Sequence, residues 1–139
     1  MARMGRFYHR VGNTAKITGV AAAYNASKRH EVTMGSFPKG APWNGRLGSI
    51  TIHMSNVAAT DTLTFRITTD SAGDLMMVGE TNAGVIGGTS TVGIGSATKA
   101  TVIVNADFLT ANKTNDKIYV WYKGAGSFDV EEVSITWEE

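Results

Sequence analysis

Apolar and polar residues alternate along several short stretches of the chain, a pattern typical of β-strands that bury one face. The two clearest stretches read SITIHMS and TLTFRIT. Their apolar positions are Ile50, Ile52 and Met54 in the first and Leu63, Phe65 and Ile67 in the second. The link over residues 55–60 is short, so the pattern predicts that the two strands are antiparallel neighbours.

The end of the chain predicts a closing hairpin, with two strands joined by Gly124-Ala125-Gly126. Its first strand, KIYVWYK, is apolar on both faces. One face consists of Ile118, Val120 and Tyr122, and the other of Tyr119 and Trp121. A strand of this kind needs cover on both sides, because apolar surface is costly to leave in water.

The last strand changes the parity of its apolar positions at Glu131-Glu132. Phe128 and Val130 share one parity, whereas Val133, Ile135 and Trp137 share the other. One extra residue at this point, which a β-bulge supplies, would turn all five towards the same core. We therefore expect a bulge here and a final strand that Trp137 holds inside the sheet.

Three segments do not alternate. Residues 36–48 hold both prolines and the turn signal Asn44-Gly45, which predicts a structured loop before a strand. Residues 79–98 hold six glycines and one charge, which predicts a long loop or a bulged edge strand. Such an edge lacks protecting charge, so we expect another subunit to cover it. Residues 70–74, DSAGD, read as a turn more readily than as a calcium loop.

Many short strands without helical periodicity predict an all-β fold. At 139 residues and 42% hydrophobic content, the chain fits a single-domain antiparallel β-sandwich. A jelly roll is the preferred topology, because roughly eight strands fit this length, and an immunoglobulin-like sandwich is the alternative. Residues 1–13 form a basic N-terminal arm, and residues 14–139 form the sandwich domain.

The charges are sorted along the chain, although the net charge is only +1. Residues 1–46 carry eight basic residues and one acid, and residues 47–139 carry five basic residues and eleven acids. This layout suits an acidic partner at one end, or head-to-tail contact between copies. Three arginines spread along an arm are too dilute for a nucleic-acid site, so nucleic acid is disfavoured. No apolar run has transmembrane length, which predicts a soluble protein made in a cytoplasm.

Candidate chemistry is sparse. The chain has no cysteine, so neither disulfides nor thiol chemistry is available, and His9, His30 and His53 are scattered. The sequence therefore predicts no catalytic, cofactor or metal site, and a protein that is not an enzyme.

Contact residues are the remaining candidates. In the arm they are Arg3, Arg6, Phe7, Tyr8 and Arg10, which we expect to bind an acidic partner that orders the arm. Among the aromatic residues they are Trp43, Tyr119 and Trp121, which we expect at an oligomer interface. Two alternatives stay open for Tyr119 and Trp121, namely packing under a crossing loop and a sugar-stacking platform. Trp43 has the alternative of capping one end of the sandwich.

The closing stretch DKIYVWYKGAGSFDVEEVSITWEE resembles the last hairpin of small structural proteins of tailed bacteriophages. A cysteine-free β-sandwich with a basic arm is similar to the jelly-roll head decoration, or cement, proteins of these viruses. The resemblance implies a homotrimer that binds the major capsid protein and stabilises the head lattice. It also implies a location in the virion, and in the host cytoplasm during assembly.

Two rival functions stay open at this point. A glycan- or receptor-binding module, of a tail fibre or a carbohydrate enzyme, would show exposed coplanar aromatic rings on one sheet face. A lyase or hydrolase built on a jelly roll would need clustered histidines and carboxylates.

Overall fold

The strands of the computed structural model follow from the alternation in the sequence. The structure describes residues 8–33, 43–74, 76–87, 91–94, 97–105, 110–113 and 117–138. Side chains are described within 10–33, 49–74, 79–87, 99–104 and 117–136. The ten strands in this part of the chain are β1 (Tyr8–Asn13), β2 (Arg29–Thr33), β3 (Trp43–Ser55), β4 (Thr62–Thr68), β5 (Met76–Val85), β6 (Thr91–Ile94), β7 (Ala97–Asn105), β8 (Thr110–Lys113), β9 (Lys117–Lys123) and β10 (Asp129–Glu138).

The strands form two antiparallel sheets. The six-stranded sheet has the order β1-β10-β3-β7-β6, with β8 pairing the first part of β3. The four-stranded sheet has the order β2-β9-β4-β5. The inner faces of the two sheets meet in one core, whose largest fully buried side chains include Tyr122, Phe65 and Phe128.

The path of the chain is that of a jelly roll. Apart from the short strands β6 and β8, the first main strand pairs with the last, the second with the seventh, the third with the sixth, and the fourth with the fifth. An antiparallel ribbon wrapped into two sheets gives this order. The all-β sandwich and the preferred jelly roll are therefore confirmed, and the immunoglobulin-like alternative is wrong.

Two predicted strand pairings are wrong. Strands β3 and β4 lie in different sheets, and so do β9 and β10. The link over residues 56–61 reaches up to about 20 Å, whereas packed sheets lie about 10 Å apart, so a short link allows a crossing as easily as a hairpin. The apolar faces favour the crossing, because the apolar face of β3 in one sheet and that of β4 in the other then pack into the same core.

The predicted bulge in the last strand is confirmed. The register of β10 against β3 shifts between Val130 and Glu132. Val130, Val133 and Ile135 are all fully buried, or nearly so, on the core side. Strand β10 runs between β1 and β3, and Trp137 pairs in register with His9 and Leu47. The backbone at the end of the chain is thus held inside the sheet, whereas the Trp137 side chain lies outside the described residues.

The basic arm is divided by the fold. Its last six residues, Tyr8–Asn13, form β1 at the edge of the six-stranded sheet. Val11 packs against the core. Hydrogen bonds to β10 therefore hold these residues within the chain, and the domain boundary expected at residue 13 stays a prediction. Residues 1–7 lie outside the described residues.

The two irregular segments have different outcomes. Residues 43–48 belong to β3, so the loop predicted there is wrong for this part, and Gly45 pairs with Ala111 of β8. Pairing on the ladder outweighs the local turn preference of Asn44-Gly45. Strand β5 is an edge strand whose register against β4 shifts at three places, which confirms the bulged edge strand for residues 79–85. Cover by another subunit stays a prediction.

The connection between β1 and β2 closes one side of the sandwich. Ile17 exchanges both backbone hydrogen bonds with Val130, at 2.8 and 2.9 Å. Farther along, Gly124 N–H donates to the Ala21 carbonyl and Tyr122 N–H to the Lys28 carbonyl. The segment over residues 14–28 therefore bonds first to β10 and then to the end of β9.

Candidate functional site

The outer face of β9 carries a tryptophan that is buried without facing the core. Ile118, Val120 and Tyr122 point inward and are fully buried, whereas Tyr119 and Trp121 have the opposite parity. Trp121 is nevertheless only 5% exposed. Its indole Nε1–H donates to Thr68 Oγ1 at 2.8 Å, so the polar end of the ring is satisfied.

Two arginines on the neighbouring strands cover this ring. Arg29 of β2 and Arg66 of β4 each lie directly opposite Trp121 in the antiparallel register. Opposite residues share a sheet face, so the three side chains meet. Arg29 Cζ lies 4.7 Å from the ring centroids of both Tyr119 and Trp121, and Arg66 Cζ lies 5.0 Å from that of Trp121.

The stack continues onto the connection between β1 and β2. Arg66 Cζ lies 4.3 Å from the ring centroid of Tyr24, and Lys123 Nζ lies 4.8 Å from the same ring. Cations and rings thus alternate across the outer face of the four-stranded sheet. We call this set the cation–aromatic ladder, which consists of Tyr119, Arg29, Trp121, Arg66, Tyr24 and Lys123.

A tight turn lies over the ladder. Gly73 N–H donates to the Asp70 carbonyl at 3.4 Å, and Asp74 N–H donates to Asp70 Oδ2 at 3.1 Å, which confirms the turn predicted for residues 70–74. Gly73 has a φ of 84°, and a Cβ added there would lie 2.8 Å from Arg66 Nη2 and 3.0 Å from Trp121 Cζ2. Glycine is therefore required both by its backbone angle and by the closeness of the ladder.

The two arginines carry charge that no acid of the described residues pairs at short range. The ion pairs on this face join Lys117 to Glu31, at 2.6 Å, and Lys123 to Glu80, at 3.2 Å. Arg29 Nη1 donates to the carbonyl of Ser71. Arg66 Nε is buried and donates to no acceptor among the described residues, at a cost of roughly 1–3 kcal/mol.

Tyr24 lies between Arg66 and Lys123 in the ladder. Burial, followed by the nearby Glu80 carboxylate, raises the pKa of Tyr24 well above its ordinary value. Its phenol is therefore neutral at physiological pH, and its ring acts in the ladder as an uncharged partner of Arg66 and Lys123.

A buried histidine inside the sandwich is the residue that sequence reasoning missed. His30 is 1% exposed, and its Nε2 lies 2.6 Å from the carbonyl oxygen of Ala15. A carbonyl only accepts, so Nε2 carries the proton and Tyr122 O–H donates to Nδ1 at 2.8 Å. Burial lowers the pKa of His30, which favours this neutral form. His30 and Val32 share one face of β2, and this alternation is the sequence signal that predicts a buried His30.

An acidic cluster ties the start of β10 to two loops. Asp129 is 5% exposed and accepts Gly19 N–H at 2.8 Å and Asn56 Nδ2–H at 2.6 Å. Burial by itself raises the pKa of Asp129, but these hydrogen bonds and the nearby Lys16 ammonium outweigh it, so the pKa lies below its ordinary value. The hydrogen bond from Ser55 to Glu131, at 2.6 Å, lowers the pKa of that carboxyl group too. These contacts are structural.

The predicted contact residues do not form one cluster in the described structure. Arg10 is exposed on the six-stranded sheet, where its Nη2 donates to Ser134 Oγ at 3.3 Å. Tyr119 and Trp121 lie on the other sheet, and the chain itself covers Trp121, which corresponds to the alternative of packing under a crossing loop. A role of these residues in contacts with partners or with other copies stays a prediction.

The other predicted contact residues are described in part or not at all. Tyr8 and Trp43 are described as backbone, paired with Glu138 and Lys113 respectively. Arg3, Arg6 and Phe7 lie outside the described residues. The contacts predicted for these five side chains therefore stay predictions.

Two kinds of feature are absent from the same described part of the chain. It holds no group of three or more histidine or acidic side chains placed to bind one metal ion. It also holds no helix with the length and apolar character that crossing a membrane requires.

Comparison with known proteins identifies no family. No family model matches the chain, and no curated protein matches it. Among solved structures, the coat protein of Tobacco streak virus aligns with 94% of this chain and 86% of its own, at 14% sequence identity and a TM-score of 0.34. A likeness of this low identity and score carries no argument about function.

Proposed function

We propose that this chain is a non-enzymatic structural protein of a bacteriophage virion, which decorates the head and stabilises its lattice. The observation that carries the proposal is a jelly roll whose interior is filled by its own side chains. Inward positions of both sheets hold aliphatic and aromatic groups, such as Ile52, Phe65 and Tyr122, which belong to one core cluster and are fully buried. Such a core suits a module that acts through its surface.

The resemblance of the closing stretch to small phage structural proteins supports the same function. The decoration proteins it resembles are jelly rolls that bind the major capsid protein as homotrimers. For this chain, we place the capsid contact in residues 1–7 and around Arg10, and the contacts between copies near Trp43, Tyr119 and the edge strand β5.

The rival function, glycan binding, has weaker support from the described aromatic residues. A sugar stacks on an open ring face, and a guanidinium group already lies over each of the rings of Tyr119 and Trp121. Trp121 is also nearly inaccessible.

The test is co-sedimentation of the purified chain with shells assembled from the major capsid protein of the phage whose genome encodes the chain. We expect the chain to pellet with the shells at a fixed ratio and to raise their melting temperature. Shells already saturated with the chain are the control. Intact shells that leave the chain in the supernatant, at low and high ionic strength alike, would overturn the proposal.

A further inference from the structure

The cation–aromatic ladder holds two guanidinium groups that no acid in the described part of the chain pairs. Neither Arg29 nor Arg66 has a carboxylate oxygen within 4 Å among the described residues, whereas Lys117 and Lys123 on the same face are paired. Both arginines are half-buried. The two guanidinium groups without an acidic partner among the described residues are thus also the two that lie over aromatic rings of the ladder.

Stacking between rings prepares a guanidinium group for a carboxylate. A ring fixes the plane of the group from its face and leaves N–H donors at its edge, which match the two oxygens of a carboxylate. Arg66 lies between Trp121 and Tyr24, and Arg29 lies over Tyr119 and Trp121. Side-chain entropy that a flexible arginine would lose on binding has already been lost during folding.

The surroundings favour a short acidic segment over a polyanion. Glu31, Glu80 and the turn residues Asp70 and Asp74 lower the positive potential of this face. Long-range attraction of a nucleic acid is therefore weak, and each ring of the ladder already has a cation over it. A short acidic segment depends on the contacts with the two arginines more than on long-range attraction, which a nucleic acid needs.

We propose that the outer face of the four-stranded sheet is a docking surface for an acidic segment of a partner protein, with Arg29 and Arg66 each binding a carboxylate. The proposed function supplies the identity of that partner, which is the capsid lattice. The docking surface rests on the proposed function for this identity alone. Tyr119, Trp121 and Tyr24 are positioning residues in this arrangement.

The test is isothermal titration calorimetry of the full chain with a short peptide of alternating glutamate and serine. The same peptide with glutamine in place of glutamate is the probe control. We expect only the acidic peptide to bind, and Arg29→Gln and Arg66→Gln each to weaken binding about tenfold, as for a lost charge-assisted hydrogen bond. Lys99→Gln, at an exposed lysine of the six-stranded sheet, is the matched control and should bind like the parent.

Melting curves identify variants that fold. If Arg66→Gln does not fold, Arg29→Gln decides the test, because Arg29 lies on an edge strand. Arg29→Lys keeps the charge and loses the planar group, so it should bind less tightly than the parent. Equal affinity of the parent and Arg29→Gln would overturn the proposal, and so would equal weakening by Lys99→Gln. Tighter binding of an oligonucleotide or a carboxylated sugar than of the peptide would overturn it too.

The two proposals fail in different ways. Shell binding that survives in a variant without peptide binding would overturn the docking surface and leave the decoration function intact. If the chain binds the peptide but does not bind capsid shells, the decoration function is overturned and the docking surface stays intact.

Discussion

Tyr122 donates its hydroxyl hydrogen bond to Nδ1 of His30 across the β2–β9 pair, at 2.8 Å, inside the closed core. The ring of His30 stands edge-on to that of Tyr122, with an interplanar angle of 85°. Through Nε2, His30 also holds the carbonyl of Ala15. One neutral imidazole thus joins strand β9 to the connection that carries Tyr24 of the ladder.

Stability should fall on mild acidification because of His30. Burial lowers its pKa in the folded state, below the ordinary value of 6.5, so between these two values the unfolded chain binds more protons. The free energy of unfolding is then complete above pH 6.5 and decreases as the pH falls towards the folded-state pKa. Urea unfolding of the parent and His30→Asn between pH 7 and pH 5 measures this, and the variant should have the flatter profile. His53→Gln, at an exposed ion pair, is the control. Parallel profiles of parent and His30→Asn would contradict the assignment.

Removing the hydroxyl of Tyr122 should destabilise the fold although the ring remains. Tyr122→Phe leaves Nδ1 of His30 as a buried acceptor without a donor, at an expected cost of roughly 1–3 kcal/mol. Tyr119→Phe makes the same change on the outer face and should cost less than about 0.5 kcal/mol. Chemical denaturation of the three proteins measures both values. Equal stability of Tyr122→Phe and the parent would show that the hydrogen bond is not made.

Trp121 should contribute as much as a core residue despite facing outward. Because its ring is buried under two arginines and the turn over residues 70–74, Trp121→Ala should cost roughly 3–5 kcal/mol. Ile103, which is 70% exposed on the other sheet, is the control, and Ile103→Ala should change stability by less than about 0.5 kcal/mol. A small effect of Trp121→Ala in the same unfolding experiment would mean that the ladder does not seal this ring.

Two truncations separate the arm from strand β1. Deleting residues 1–7 leaves all the backbone pairing between β1 and β10 in place, so the melting temperature should stay close to that of the parent. Deleting residues 1–13 removes β1 and uncovers one edge of β10. It should cost several kcal/mol, from lost hydrogen bonds of about 0.5–1.5 kcal/mol each and from the lost packing of Val11. Thermal unfolding of both forms is the measurement, and equal stability of the two truncations would contradict the placement of β1.

Local patterns in the sequence predict much of the fold. Alternation identified the buried faces of β3, β4 and β9, and the parity change at Glu131-Glu132 identified the bulge in β10. These features follow from the sequence because successive side chains of a strand point to opposite faces, whatever the strand pairs with.

The pairing of strands was decided by the tertiary structure. Alternation identifies a buried face, but it does not specify the sheet that covers it, and a short link joins strands of one sheet or of two. The ladder has the same origin, because Arg29, Arg66 and Trp121 come from three strands far apart in the sequence and meet only through their registers. The contacts of His30 also depend on the tertiary structure. Its alternation with Val32 is visible in the sequence. Its partners Tyr122 and Ala15 come together only when the two sheets and the connection between β1 and β2 close over one core.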